Sequence, residues 1–241
     1  MVRLTVDPEK DGEFPLHVRI PGWARNEPMP GGLYRPADEP SGPVDVRING
    51  SPAEFAVESG YAVLSRTWSK GDAVEIELPM PVRRVRADDR VADDRGRIAL
   101  ERGPLVFCVE GADNGGRVFD LLVPADAKLD FVPDAELLGG IGTIRGDVVR
   151  LVRAEDRISI ERRSHPFVAV PFYAFANRTS DGMEVWLAAE EGRALPPPAG
   201  TIASTAHWRS SSGNGSFAEC YPGGAVPPII MVLIGGGRKW W

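Results

Sequence analysis

The sequence predicts an all-β chain: two antiparallel β-sandwich domains of jelly-roll or immunoglobulin-like kind, followed by an irregular tail. Three observations predict this. Short runs alternate apolar and polar residues, as in Leu16–His17–Val18–Arg19–Ile20 and Val74–Glu75–Ile76–Glu77–Leu78, and a period of two sends each set to one face of a sheet. The 27 glycines and 22 prolines fall between such runs and close them, as turn residues do. Helical periodicity is absent from the same stretch.

Taken in order, Val2–Arg3–Leu4–Thr5–Val6 is an alternating strand, and Leu16 to Ile20 is the next, closed by Pro21–Gly22. Val44 to Ile48 ends at Asn49–Gly50, a pair that tolerates positive φ at both positions and so predicts a type I′ hairpin returning through Ala53 to Val57. Tyr61 to Arg66 and Ala73 to Leu78 follow, with the turn Lys70–Gly71–Asp72 between them. Val82 to Ala87 and Arg97 to Leu100 flank a charged segment, Asp88 to Arg95, expected to be a solvated turn. Leu105 to Val109 is apolar throughout, as expected of a strand buried on both faces.

Asn114–Gly115–Gly116 marks the expected seam between a first domain, 1–113, and a second, 114–190. Strands are expected at Val118 to Val123, Leu129 to Val132, Val148 to Val152, Ile158 to Ile160, Phe167 to Ala176 and Met183 to Leu187. A short helical turn is expected over Pro133 to Leu138, ended by the loop Gly139–Gly140–Ile141–Gly142. Residues 191–241 lack alternation and carry Pro196–Pro197–Pro198 and Gly235–Gly236–Gly237, which predicts an irregular tail. Its composition also fits a shifted reading frame.

The formal net charge of −6 lacks the basic footprint of a nucleic-acid or anionic-lipid binder, so neither partner is expected. No run approaches the roughly 20 apolar residues of a membrane span. Met1 is followed by a strand and not by a charged and then apolar leader, so no signal peptide is expected and a cytoplasmic setting is favoured. Two cysteines, Cys108 and Cys220, are too few for a disulfide framework.

Several blocks resemble one family. Phe14 to Ala24 is similar to its LRIPGWA block, Val46 to Gly50 to its VNG hairpin, and Gly60 to Asp72 to its GY…R.W..GD stretch. Leu78–Pro79–Met80–Pro81–Val82–Arg83 resembles LPMPVR, Ala99 to Glu110 resembles ALxRGPLVYCxE, and Val170 to Arg178 with Met183 to Leu187 resembles IPYYAWANR…M.VWL. In this order and spacing they resemble the C-terminal region of glycoside hydrolase family 127, the β-L-arabinofuranosidases, over about residues 2–190. The resemblance implies β-sandwich domains that follow a catalytic (α/α)6 barrel, on which a zinc-bound cysteine nucleophile and an acid/base glutamate sit. No region here matches that barrel, so no catalytic residue is carried over and no cofactor is expected in this chain.

Retaining glycosidases in general need two carboxyl groups about 5–5.5 Å apart or a substitute nucleophile. Glu101 and Glu110 could be read as such a pair, but pairing with arginines at sheet edges is the more ordinary role, and Glu75 and Glu77 read as a solvated strand face. His17, His165 and His207 are scattered and far in sequence from either cysteine, which argues against a metal site. Cys108 reads as an inert core thiol. Aromatic side chains are the remaining candidates, since a flat apolar face with a polar edge suits a sugar ring. Trp23, Tyr61 and Trp68 are the named carbohydrate-contact or interface candidates, Trp23 foremost because it follows Pro21–Gly22 at a strand end. Tyr173 and Trp186 belong to the same aromatic set, and every member but Trp23 sits in or beside a strand with apolar neighbours, where core packing is the better reading. The expected function is a non-catalytic accessory region bracing a helical barrel, the alternative a carbohydrate-binding module for arabinose-containing glycans. The expected partners are that barrel, carbohydrate and, through an uncovered apolar face, further copies of the chain.

Overall fold

A computed structural model describes residues 1–38, 41–156, 158–178 and 181–196, so the expected tail, with His207 and Cys220, lies almost wholly outside the described residues. The first part of the chain gives β1 (Val2–Val6), β2 (Gly12–Arg19), β3 (Tyr34–Pro36), β4 (Asp45–Ile48), β5 (Ser51–Pro52), β6 (Ala56–Glu58), β7 (Tyr61–Trp68) and β8 (Asp72–Glu77). Two antiparallel sheets result, ordered β1-β8-β4-β5 and β2-β7-β6. Alternation decides which side chains meet: Val46, Val74 and Ile76 of one sheet share a core with Leu64 and Trp68 of the other. This is the first sandwich. Its Asn49–Gly50 turn has φ of 52° and 80°, as a type I′ hairpin requires, and the Asn49 amide Nδ2 donates to Asp72 Oδ1 at 2.8 Å.

The later strands are β9 (Val82–Ala87), β10 (Arg97–Arg102), β11 (Leu105–Glu110), β12 (Leu121–Leu122), β13 (Leu129–Asp134), β14 (Ile141–Arg153), β15 (Ile160–Pro171), β16 (Met183–Glu184) and β17 (Leu187–Ala188). They form one sheet whose pairings close on themselves through β10, β11, β15, β14, β12 and β17 back to β10. Every contact in the ring is antiparallel except Leu122 beside Ala188. The enclosed core contains Leu100, Phe107, Val109, Leu121, Ile144, Phe167 and Leu187. Closure leaves few free edges, and this limits edge-to-edge association.

The seam expected after residue 113 falls inside this sheet. Val109 on β11 pairs with Ala169 on β15, and β3 crosses from the first part to pair with β9. Arg83 ties the two parts together, donating from Nη1 to Trp23 O at 3.2 Å and from Nη2 to Asn26 Oδ1 at 2.8 Å. The helical turn expected over Pro133 to Leu138 is displaced: β13 runs to Asp134 and a single 3-10 turn occupies Leu137–Gly139. Ile141 and Gly142, expected in a loop, begin β14. A Cβ at Gly142 would lie 2.0 Å from Phe131 Cζ, so this glycine is in the strand because an aromatic ring covers it. The charged segment 88–95 is not wholly solvated, for Asp94 is buried.

Candidate functional site

The most constrained surface feature is the loop that follows β15. Pro171 ends the strand, a 3-10 turn spans Phe172–Ala174, and Ala174 is buried beneath it. Ala176 then adopts φ 60°, a left-handed conformation that costs a residue bearing Cβ roughly 1–2 kcal/mol. Glu110 holds it there. This carboxylate is 2% exposed, its Oε1 accepts the Ala176 backbone N–H at 3.0 Å, and its Oε2 accepts Arg178 Nη2 at 2.7 Å. Asp113 accepts Arg178 Nη1 at 2.7 Å and Nη2 at 2.5 Å, and the two carboxylates hold the guanidinium well above its usual range. Tyr173, at the tip, is 64% exposed. Phe172 and Phe175 stack beside it with centroids 6.2 Å apart.

The three aromatic candidates do not converge. Tyr61 and Trp68 lie at the two ends of β7, roughly 23 Å apart at a strand rise of about 3.3 Å, and seven positions put them on opposite faces. Trp68 is removed from candidacy: it is 0% exposed, and its indole N–H donates to Phe14 O at 3.0 Å. Tyr61 is partly exposed, but Arg19 lies 5.3 Å over its ring and His17 packs at its edge. Trp23 is half-buried against the cluster of Ile20, Ala24 and Ala62. Trp186 is core, its ring tilted against Tyr34 with centroids 5.7 Å apart. Tyr173 differs from the core placement read for it, because the 3-10 turn swings its ring outward while Ala174 points in.

Glu101 and Glu110 are interior, not at sheet edges. Glu101 faces Arg83 across β9 and β10, and burial pushes its carboxyl up to about 7. Asp94 is pushed up to about 6, by burial and then by Asp93. Glu184 accepts Arg97 Nη1 at 2.5 Å, and burial raises it to about 7 against that pull. Glu75 meets Arg3 at the surface. Cys108 is buried, its thiol pushed up to about 12 by burial and by Glu110. His165 is lowered by burial and by Arg150. Among the described residues no three His, Cys, Asp or Glu side chains gather as a metal centre, and no helix is long and apolar enough to cross a membrane.

The arginine that organises the loop was legible only through the Asn177–Arg178 part of the resembling block; nothing in its local pattern predicts a buried partner 68 positions upstream. What these residues build is a β-sandwich region whose interior carboxylates face arginines. Residues 1–80 match the β-L-arabinofuranosidase GH127 middle domain and residues 82–188 the glycoside hydrolase family 127 C-terminal domain. The chain belongs to glycoside hydrolase family 127 as a partial region of it. It is 35% identical over 191 residues to the non-reducing end β-L-arabinofuranosidase of Bifidobacterium longum subsp. longum, covering 73% of this chain and 26% of that protein. Among solved structures it resembles a GH127 β-arabinofuranosidase at TM-score 0.75 and 35% identity, over 81% of this chain and 31% of the other. It also resembles a GH127 β-L-arabinofuranosidase from Geobacillus stearothermophilus T6 at TM-score 0.66 and 36% identity, over 77% and 28%. The chain therefore spans between about a quarter and a third of the length of these relatives.

Proposed function

We propose that this chain is a non-catalytic accessory β-sandwich region of a family 127-type glycoside hydrolase, whose work is to brace a helical catalytic barrel acting on β-L-arabinofuranosides. The observation that carries it is the match to the family's middle and C-terminal domains across residues 1–188, in a chain that covers 26% of a relative. The arrangement of its acids supports the reading. Glu110 and Glu184 are each bonded to an arginine, and a carboxylate so held is poorly placed to attack or protonate a sugar.

On this reading the chain needs no cofactor of its own, the zinc chemistry belongs to the barrel, and the barrel is its main partner. Surface left uncovered without that partner makes the free chain prone to self-association. Added to the purified barrel domain of a family 127 enzyme, or fused to it, the chain is expected to raise the barrel's melting temperature in a saturable way. A barrel that melts identically with and without the chain contradicts the bracing role.

A further inference from the structure

The loop Phe172–Arg178 combines backbone strain with a buried anchor and a solvent-facing ring. A left-handed alanine, Ala176 at φ 60°, persists only where surrounding contacts over-determine it, and such positions gather at ligand-contact loops. Here the over-determination is explicit: Glu110 binds both the Ala176 N–H and Arg178, and Arg178 also binds Asp113. Burying this carboxylate and its arginine gives little net stability, so the network's clearest product is a fixed loop. The loop presents Tyr173.

Among the described residues, the other aromatic candidates are covered on a face, buried, packed against the core or without a hydroxyl. Arg19 covers the Tyr61 ring, Trp68 and Trp186 are buried, Trp23 packs on Ala24 and its neighbours, and Phe119, though 43% exposed, has no hydroxyl. Among the described residues no ring or guanidinium stacks on Tyr173. Its phenol offers a flat face and a hydroxyl, and the exposed Asn177 amide follows four positions on, its Nδ2 donating a long 3.5 Å bond to Phe175 O.

We propose that Tyr173 and Asn177 form a carbohydrate-contact site, in which the Tyr173 ring stacks on the C–H face of a sugar and Asn177 bonds to its hydroxyls. Such alternation of apolar face and polar rim matches a sugar ring better than a protein surface, which would ask for a wider apolar area. The sugar class, an arabinose-containing oligosaccharide, rests on the reading of the chain as part of a family 127-type enzyme.

Titration of the full chain with a β-L-arabinofuranosyl disaccharide, followed by calorimetry and by saturation-transfer NMR, tests this. Saturable binding is expected, weakened about tenfold or more by Tyr173→Ala, a loss of roughly 1.4 kcal/mol, and weakened less by Tyr173→Phe, which keeps the ring but loses the hydroxyl, with all three proteins melting alike. No saturation with this sugar, or equal affinity in Tyr173→Ala, overturns the site. So does a Tyr173→Ala chain whose sedimentation changes while sugar binding does not, because the ring would then serve a protein contact. None of these outcomes bears on bracing, which is read from the melting of the barrel domain.

Discussion

Arg178 Nη2 lies 2.7 Å from Glu110 Oε2 across 68 positions of sequence, with the glutamate side chain 2% exposed and the arginine side chain 20% exposed. An ion pair this enclosed gains little relative to an apolar pair, but losing one partner strands a buried charge. Arg178→Ala is therefore expected to cost about 3–5 kcal/mol in urea unfolding, and Glu110→Ala less, because Arg178 keeps its bonds to Asp113. The double variant should cost less than the sum of the singles, because the second removal no longer strands a charge. Additive losses would show that the two side chains act separately.

Trp68 fills the first sandwich and donates its indole N–H to Phe14 O. Trp68→Ala leaves a cavity and removes the indole bond to Phe14 O, and is expected to cost about 3–5 kcal/mol, read as a lowered urea midpoint. Trp68→Phe should cost less because it keeps most of the ring. A loss below about 1 kcal/mol for the alanine would contradict core placement.

Glu101 and Asp94 are pushed up to about 7 and about 6, so the folded chain binds protons that the unfolded chain releases. Their contribution to stability is fully present below the ordinary carboxylate range, near pH 4, and is lost as pH rises through 6 and 7. Asp134 and Asp156 work in the opposite sense: hydrogen bonds from Leu137 N–H and from the Ser159 side chain lower them, and that stability is lost as pH falls below the same range. The chain should melt higher at pH 5.5 than at pH 8, and Glu101→Gln should narrow the difference. A melting temperature that climbs between those pH values would refute this.

Cys108 is 1% exposed, with its thiol pushed up to about 12. Because the thiolate is the reactive form, iodoacetamide at pH 8 should leave the Cys108 peptide unmodified in the folded chain and alkylate it in urea. Modification without urea, followed by peptide mass mapping, would mean that β11 opens far more readily than its pairing on both sides implies.

Much of this fold was legible from alternation. The Asn49–Gly50 hairpin and the runs that became β7, β8 and β11 follow from period and turn chemistry, because Ala62 and Leu64, and Val74 and Ile76, share a buried face and Phe107 to Val109 are all buried. Other elements escaped for identifiable reasons. β3, three residues in a proline- and glycine-rich stretch, exists because β9 offers it a partner. The charged start of β15, Glu161–Arg162–Arg163, is a strand because it pairs with β14 and faces solvent. Gly142, which looked like loop punctuation, is a strand residue, as is Gly146, and their missing Cβ atoms admit Phe131 and the Lys128 carbonyl. At the candidate site, position at a strand end favoured Trp23, while exposure singles out Tyr173, and exposure depends on which way a 3-10 turn faces.

Incubation of the purified full chain with a chromogenic β-L-arabinofuranoside, with aglycone release followed over time, decides whether the chain breaks glycosidic bonds on its own. Release no faster than in buffer is expected, with or without added zinc. Release that scales with chain concentration and survives further purification would contradict the non-catalytic role.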